Sequence, residues 1–144
     1  MDTPPPTHHP PPHDPLPDQA TANQAVHGDD AASWSVVFAS GAVHQIDWTD
    51  ADTPLGLTGS IGLPAPGHEL AMLNAALLYN ALWASTGSLR IARDDADGDL
   101  LLMAQVPTDG LDTARLRERL LHFERIRSAW SLAVGHPAIR RLEE

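Results

Sequence analysis

The sequence predicts an α+β domain in which helices pack on one antiparallel sheet, with the element order β-β-β-α-β-β-α. Three observations predict this fold class. Short apolar segments, several of them alternating with polar or small residues, are bounded by turn-forming residues and are typical of strands. Longer segments repeat apolar residues at helical spacing. The strands occur in runs instead of alternating singly with helices, which favours antiparallel pairing.

The composition favours one small acidic domain. The 144 residues include 19 Asp and Glu, 9 Arg and no Lys, which gives a formal net charge of −10. Such a chain is poorly suited to bind phosphate backbones, so we expect no nucleic-acid partner. Residues 1–112 carry 15 acids and 2 Arg (−13), whereas residues 113–144 carry 7 Arg and 4 acids (+3). There is no Cys, which excludes disulfides and thiol chemistry.

The N-terminal segment differs from the rest of the chain. Residues 1–17 hold 8 of the 13 prolines, and we expect a disordered Pro/His-rich arm over residues 1–32, with at most a short helix after Asp18. The composition favours an arm over a metal site at His8, His9 and His13. The domain follows over residues 33–134, and residues 135–144 form a tail. Neither a secretory signal nor an apolar run of about 20 residues is visible, so we expect a cytoplasmic protein without membrane insertion.

The first predicted element is a β-hairpin. Alternate residues of SWSVVFA and AVHQIDW share one face, and Ser40-Gly41 turns the chain between them. That face consists of Trp34, Val36, Phe38, Ala42, His44, Ile46 and Trp48. The third strand, LGLTGSIGL, has an apolar face that consists of Leu55, Leu57, Gly59, Ile61 and Leu63. The opposite face consists of Gly56, Thr58, Ser60 and Gly62. A strand with this many glycines is thin on one face, which favours the close approach of another group.

The rest of the chain alternates between helices and a second hairpin. A helix of about 18 residues follows Pro66-Gly67 and ends at Gly87, a residue type suited to helix C-termini. SLRIAR and LLLMAQV are strands joined by the turn DDADGD, and the second strand is apolar on both faces, hence buried. The last helix begins at Asp112, a good N-cap residue. Its apolar stripe consists of Leu116, Leu120, Phe123, Ile126 and Trp130.

The central helix, AMLNAALLYNALW, is apolar on two opposite sides. One side consists of Leu70, Leu73, Leu77 and Ala81, and the other of Met72, Ala76, Tyr79 and Trp83. A helix that lies on a sheet needs one such stripe, and a second stripe in water marks an interface. Either the last helix covers it or a second copy of the chain does. We favour a two-fold dimer, because the last helix has one stripe, which the sheet can occupy, and small cores often need oligomerisation.

The motifs that could carry chemistry are incomplete. His68-Glu69 lacks the second His that a zinc-protease helix carries four residues on. DDADGD resembles a calcium loop, but Arg93 and Ala104 fall where carboxylates are required. GLTGSIG opens no helix at the offset that phosphate binding requires. We therefore expect no metal, no cofactor and no enzymatic activity.

Two polar residues interrupt apolar faces. His44 is interpreted as a hydrogen-bonded core or edge histidine, and Arg127 either pairs with an acid of a partner or extends past Phe123 and Trp130 to water. A small enzyme that uses His44 or His68 with nearby acids is a less favoured alternative.

Three motifs in this order resemble the class I type III secretion chaperones of the Tir-chaperone family, over roughly residues 33–132. LGLTGSIGLP resembles the third strand of that family. LNAALLYNALWASTG resembles its central helix, with the core Leu77, Leu78 and Asn80. LRERLLHFERIRSAW resembles its closing helix, with Phe123, Ala129 and Trp130.

The resemblance implies a homodimer formed by the central helix and the adjacent strand at residues 100–106. The implied interface consists of Met72, Ala76, Tyr79, Asn80, Trp83, Leu101 and Met103. It also implies binding of the unfolded N-terminal segment of a secreted effector protein, which is kept soluble and presented to the secretion apparatus and its ATPase. Strand addition and apolar grooves provide such binding. The implied client-binding residues are Trp34, Val36, Phe38, Ile46, Leu57 and Ile61.

One departure concerns the N-terminus. The family begins with an amphipathic helix over the sheet, whereas this chain has the weak segment at residues 19–26 and the Pro/His arm. The alternative function is a non-catalytic dimeric adaptor or regulator that docks a folded partner protein.

Overall fold

The computed structural model describes residues 20–26, 32–38, 40–50 and 52–135. The predicted Pro/His arm before Ala20 and the tail after Gly135 lie outside the described residues. The elements are β1 (Ala20–Val26), β2 (Ala32–Phe38), β3 (Val43–Trp48), β4 (Leu55–Gly62), α1 (Glu69–Ala81), α2 (Trp83–Thr86), β5 (Arg90–Arg93), β6 (Leu100–Val106) and α3 (Thr113–Gly135). The predicted α+β class is confirmed.

The six described strands form one antiparallel sheet in the order β1-β2-β3-β4-β6-β5. Side chains alternate between its two faces. On one face lie the buried residues His44, Leu57 and Leu102, together with α1, which packs on β5, and α3, which packs on β4 and β6. On the other face, the cross-strand neighbours Thr58 and Met103 are only partly buried or exposed. The core of the subunit therefore lies between the helices and one sheet face.

The strand β1 replaces the short helix predicted after Asp18, and that prediction is wrong. Ala20–Val26 pairs with β2 over its whole length, from Ala20 opposite Phe38 to Val26 opposite Ala32. An edge strand is stabilised by backbone hydrogen bonds to one neighbour, so it does not require large apolar side chains of its own. The domain thus gains a sixth strand ahead of the predicted order.

The helix ends follow the predicted signals with one exception. The N–H of Arg115 donates to the Oδ1 atom of Asp112 at 2.8 Å, so the predicted N-cap of α3 is confirmed. Gly87 ends α2 with a φ of 61°, a left-handed conformation that glycine adopts without strain. The predicted single central helix is divided at Leu82 into α1 and α2. Within the described residues, no helix combines the length and apolar character that a membrane span requires.

Candidate dimer and client-binding surfaces

The outward side of α1 is a large apolar surface. Leu70, Leu77 and Leu78 are 73%, 67% and 70% exposed. Leu82 and Trp83 continue the surface into α2 at 59% and 61%. We call these five residues the α1 outer face. In the subunit this face contributes nothing to the core, and an apolar patch of this kind marks an interaction surface.

The inward side of α1 is fixed on β5 by a side-chain amide. Nδ2 of Asn80 donates to the carbonyl oxygen of Ile91 at 2.9 Å, and the N–H of Ile91 donates to Oδ1 of Asn80 at 2.8 Å. Nearby, Arg93 Nη1 donates to Glu69 Oε1 at 2.6 Å. The edge strand β5 is therefore joined to α1 at two positions, and the backbone groups of Ile91 are occupied.

The opposite part of the sheet is less covered. β1 and β2 lie at the far side of the sheet from β5, whereas α3 packs over β4 and β6. On β2, Trp34 and Phe38 are half-buried, and the Trp34 ring lies 6.3 Å from that of Trp48. Within the described strands, none pairs with the outer edge of β1. This region combines a strand edge with half-buried aromatic rings.

Comparison with protein families places these features in context. The sequence model of the Tir chaperone protein (CesT) family matches residues 29–130 of the chain. The chain belongs to the CesT family. The family match covers the strands β2 to β6 and the helices α1 and α2, and nearly reaches the end of α3, whereas β1 precedes it.

A solved structure shows a fold similar to that of this CesT-family chain. The match is to a chain in the crystal structure of the ExsC-ExsE complex, with a TM-score of 0.61 and 15% sequence identity. It covers 72% of this chain and 76% of that chain. At this level of identity the likeness supports the fold alone. No curated protein sequence matches the chain significantly.

The dimer residues predicted for this CesT-family chain lie in several environments. Met72 and Ala76 are buried within the subunit, at 2% and 6% exposure, and so offer no surface to a second copy. Tyr79 is half-buried, and its ring meets that of Trp130 edge-on at 5.2 Å. Asn80 binds β5, as described above. The remaining predicted residues are more accessible, namely Leu101 (half-buried), Met103 (40% exposed) and Trp83.

The predicted interface stripe of the central helix divides in the subunit, because Met72 and Ala76 face the core whereas Trp83 belongs to the α1 outer face. Asn80 lies on the same side of α1 as Met72 and Ala76, two helical turns on from Met72. Since its amide finds its partners on β5, that side turns inward, whereas Leu70, Leu77 and Leu78 turn outward. The helix is apolar on two faces, as predicted, but the available surface is the α1 outer face.

The predicted client-binding residues divide in a similar way. Val36, Ile46, Leu57 and Ile61 are at most 5% exposed and belong to the core. In this subunit the four residues have almost no exposed surface to offer a client. Trp34 and Phe38 keep part of their surface. Client binding stays a prediction, and among the predicted residues Trp34 and Phe38 on β2 have exposed surface for it.

A buried polar cluster joins β3 to α3. His44 is fully buried, and its Nε2 atom lies 2.5 Å from Oε2 of Glu124. Arg127 binds the same carboxylate through Nε at 2.7 Å and Nη2 at 2.9 Å, and its Nη1 donates to the carbonyl oxygen of Ser60 at 3.0 Å. The prediction of a hydrogen-bonded core histidine is confirmed. Arg127 takes neither predicted role, because Glu124 of its own helix binds it.

The charges of this cluster are set by burial and pairing. Burial is the largest influence on the pKa of His44 and lowers it. The Glu124 carboxylate acts in the opposite direction but does not outweigh burial. Burial acts to raise the pKa of Glu124, but the hydrogen bonds and charges of Arg127 and His44 outweigh it and lower the pKa overall. The carboxylate is thus ionised and paired, and His44 is held towards its neutral form. Because His44 has no exposed atom, a substrate has no access to it.

A close approach to β4 occurs at Gly59, on the apolar face of this strand. A Cβ atom at this position would lie 2.5 Å from Nδ1 of His44 and 3.1 Å from Cδ of Arg127. The absence of a side chain there leaves room for the imidazole between β3 and α3. Glu124 was missed by sequence reasoning, since its partner lies 80 residues away. The sequence contains one indication of its role, because Glu124 lies three residues before Arg127, an arginine within the apolar stripe of the helix.

Proposed function

We propose that this CesT-family member is a cytoplasmic type III secretion chaperone, acting as a homodimer that binds the unfolded N-terminal segment of an effector protein. The family match and the α1 outer face carry this proposal. The chaperone keeps the effector soluble and presents it for export, including to the ATPase of the apparatus. These roles require binding surfaces and no catalytic group.

Two copies pack through the α1 outer face. Its five large apolar side chains are all 59% or more exposed in a single subunit. Removing such side chains from water stabilises an interface by about 25 cal/mol per Å² of apolar surface. The same patch on both copies suits a two-fold interface. Met103, on the other sheet face of β6 beside the edge strand β5, is a further candidate for the contact.

The client adds to the other end of the sheet. Asn80 occupies the backbone groups of Ile91 on β5, whereas β1 has an unpaired outer edge within the described sheet. An extended client segment pairs with β1 by backbone hydrogen bonds, and its apolar side chains pack towards Trp34 and Phe38 on β2. The segment thereby takes the place over the sheet that a first helix occupies in the family.

Limited proteolysis of an effector fragment tests this function. The fragment is the N-terminal segment of an effector encoded beside this chain, digested alone and after co-purification with it. We expect protection of an extended stretch in the complex, and loss of protection with Trp34→Gln. Val43→Gln is the matched control, because Val43 is 52% exposed on the opposite sheet face. Binding that requires an intact folded domain of the partner would contradict the proposal and support the adaptor function.

A further inference from the structure

A groove of about 590 Å³ lies between the end of β6 and the first half of α3. One wall is a row of polar side chains on α3, namely Arg115, Arg119, His122 and Arg125. These residues follow one another at intervals of four, three and three, which places them on one face of the helix. The opposite wall includes Pro107 and Leu111. We call this region the α3 groove.

The α3 groove is positive on a negative molecule. Its lining includes three arginines and two acids, Asp109 and Glu118, which gives +1 with His122 counted as neutral. The whole chain carries −10. A ligand with carboxylates is therefore attracted at this place and repelled over most of the remaining surface. Such a pattern fixes where and in which orientation a charged partner docks.

The arginines are available to a ligand. Arg115 is oriented by the loop, since its Nη1 donates to the carbonyl oxygen of Gly110 at 2.7 Å. Arg119 and Arg125 are exposed, and within the described residues neither has a hydrogen-bond or ion-pair partner. Their six-residue separation corresponds to about 9 Å along the helix. Carboxylates two residues apart in an extended chain lie on the same side of it about 7 Å apart, a spacing that two long arginine side chains can meet.

We propose that the α3 groove binds an acidic, extended segment of a partner protein. Two acidic side chains of the segment, two residues apart and therefore on one side of it, pair with Arg119 and Arg125. An apolar side chain between them packs on Pro107 and Leu111. The net charge of −10 disfavours a nucleic acid, because the phosphate backbone would be repelled over the rest of the surface. The groove shares no residue with the α1 outer face or with β1 and β2, so this inference does not depend on the proposed chaperone function.

Fluorescence anisotropy with a defined peptide tests the proposal on the full chain at low salt. The probe is a labelled peptide of about twelve residues with two Asp two positions apart and a Leu between them, and its comparison peptide has Asn at both positions. We expect the Asp peptide to bind about five- to tenfold more tightly than the Asn peptide, as two exposed ion pairs provide. The double variant Arg119→Glu/Arg125→Glu should abolish that difference.

A matched control separates the groove from net charge. Arg140→Glu/Arg141→Glu changes the net charge of the chain by the same amount, and these residues lie outside the described part of the chain. This control variant should lower the affinity for the Asp peptide by less than about twofold. Because Arg119 and Arg125 are exposed, their variants should keep the circular dichroism spectrum, and Arg119→Gln/Arg125→Gln should give a smaller loss in the same direction.

Three results would overturn the proposal. The first is equal binding of the Asp and Asn peptides. The second is an equal loss of binding in the groove variant and the net-charge control. The third is a single-stranded DNA of similar length that binds through Arg119 and Arg125 more tightly than the Asp peptide. The chaperone function is tested separately, by the mass of the dimer and by the protection of an effector fragment from proteolysis. A failure of peptide binding in the α3 groove would leave both of those results unchanged, so the two failures are distinguishable.

Discussion

The Nε2 atom of His44 on β3 lies 2.5 Å from the Oε2 atom of Glu124 on α3, a polar contact between residues 80 positions apart. Apolar rings surround it: Phe38 and Phe123 meet the imidazole edge-on at 4.7 and 5.2 Å. Arg127 completes the cluster on the carboxylate side. A specific ionic cluster therefore fixes the position of α3 on the sheet within an otherwise apolar contact.

Removing the carboxylate of this cluster should destabilise the subunit. In Glu124→Ala, the half-buried Arg127 loses its ion pair and the fully buried imidazole of His44 loses its hydrogen bond. We expect the free energy of unfolding to fall by about 2–4 kcal/mol, measured by urea denaturation. Glu118→Ala is the control, because Glu118 is exposed on the same helix, and it should change stability by less than about 0.5 kcal/mol. Similar losses for the two variants would show that the cluster does not hold α3.

The stability of the subunit should decrease on acidification. The pKa of His44 is lowered in the folded state, so the unfolded chain takes up a proton first, and stability falls as the pH drops below about 6.5. The pKa of Glu124 is also lowered, so a second decrease begins below its usual value of about 4.5. Urea unfolding at about pH 7, 6 and 5 measures the first decrease.

Variants of histidine test the assignment of this pH dependence. In His44→Leu, the free energy of unfolding should depend less on pH between about pH 7 and pH 5 than in the natural chain. His122→Gln, at an exposed position on α3, should keep the natural dependence. If the dependence is the same in all three proteins, His44 is not the group responsible.

Because of the close contact at Gly59, replacing this glycine by a larger residue should destabilise the subunit. In Gly59→Ala the new Cβ atom would lie 2.5 Å from Nδ1 of His44, which forces the ring or the strand to move. We expect a loss of about 1–3 kcal/mol in thermal or urea unfolding. Gly56→Ala on the same strand is the control, because its Cβ would meet only ordinary contacts with Asp47 at 3.8 Å. Equal stability of the two variants would contradict the described packing.

The attachment of α1 to β5 should depend on Asn80. Asn80→Ala leaves the N–H and the carbonyl oxygen of Ile91 without their partners, and we expect the free energy of unfolding to fall by about 1–3 kcal/mol. Asn74→Ala should have little effect, since Asn74 is exposed on the same helix. Amide hydrogen exchange at Ile91 should increase in the first variant only. Unchanged exchange at Ile91 would show that the amide contact is absent in solution.

The sequence predicted the elements whose periodicity is strong and missed those that depend on a distant partner. The alternation around Leu57 and the helical stripe around Phe123 each specified one element and one face. β1 has small and polar residues without alternation. It is held to β2 by backbone hydrogen bonds, which leave no pattern in the side-chain sequence. The inward face of α1 was not predictable, because both stripes are apolar. Asn80 decides between them through the backbone of Ile91, a contact that no local pattern reveals.

The most direct test of the proposed dimer is the mass of the protein in solution, measured by light scattering during size-exclusion chromatography. We expect a dimer of two 15.5 kDa chains, and a folded monomer for Leu77→Glu/Leu78→Glu, because the charges enter the α1 outer face. Met72→Glu is unsuitable as a variant, since Met72 is a core residue. A natural chain that stays monomeric at micromolar concentration, or a dimer that persists unchanged in Leu77→Glu/Leu78→Glu, would contradict the account.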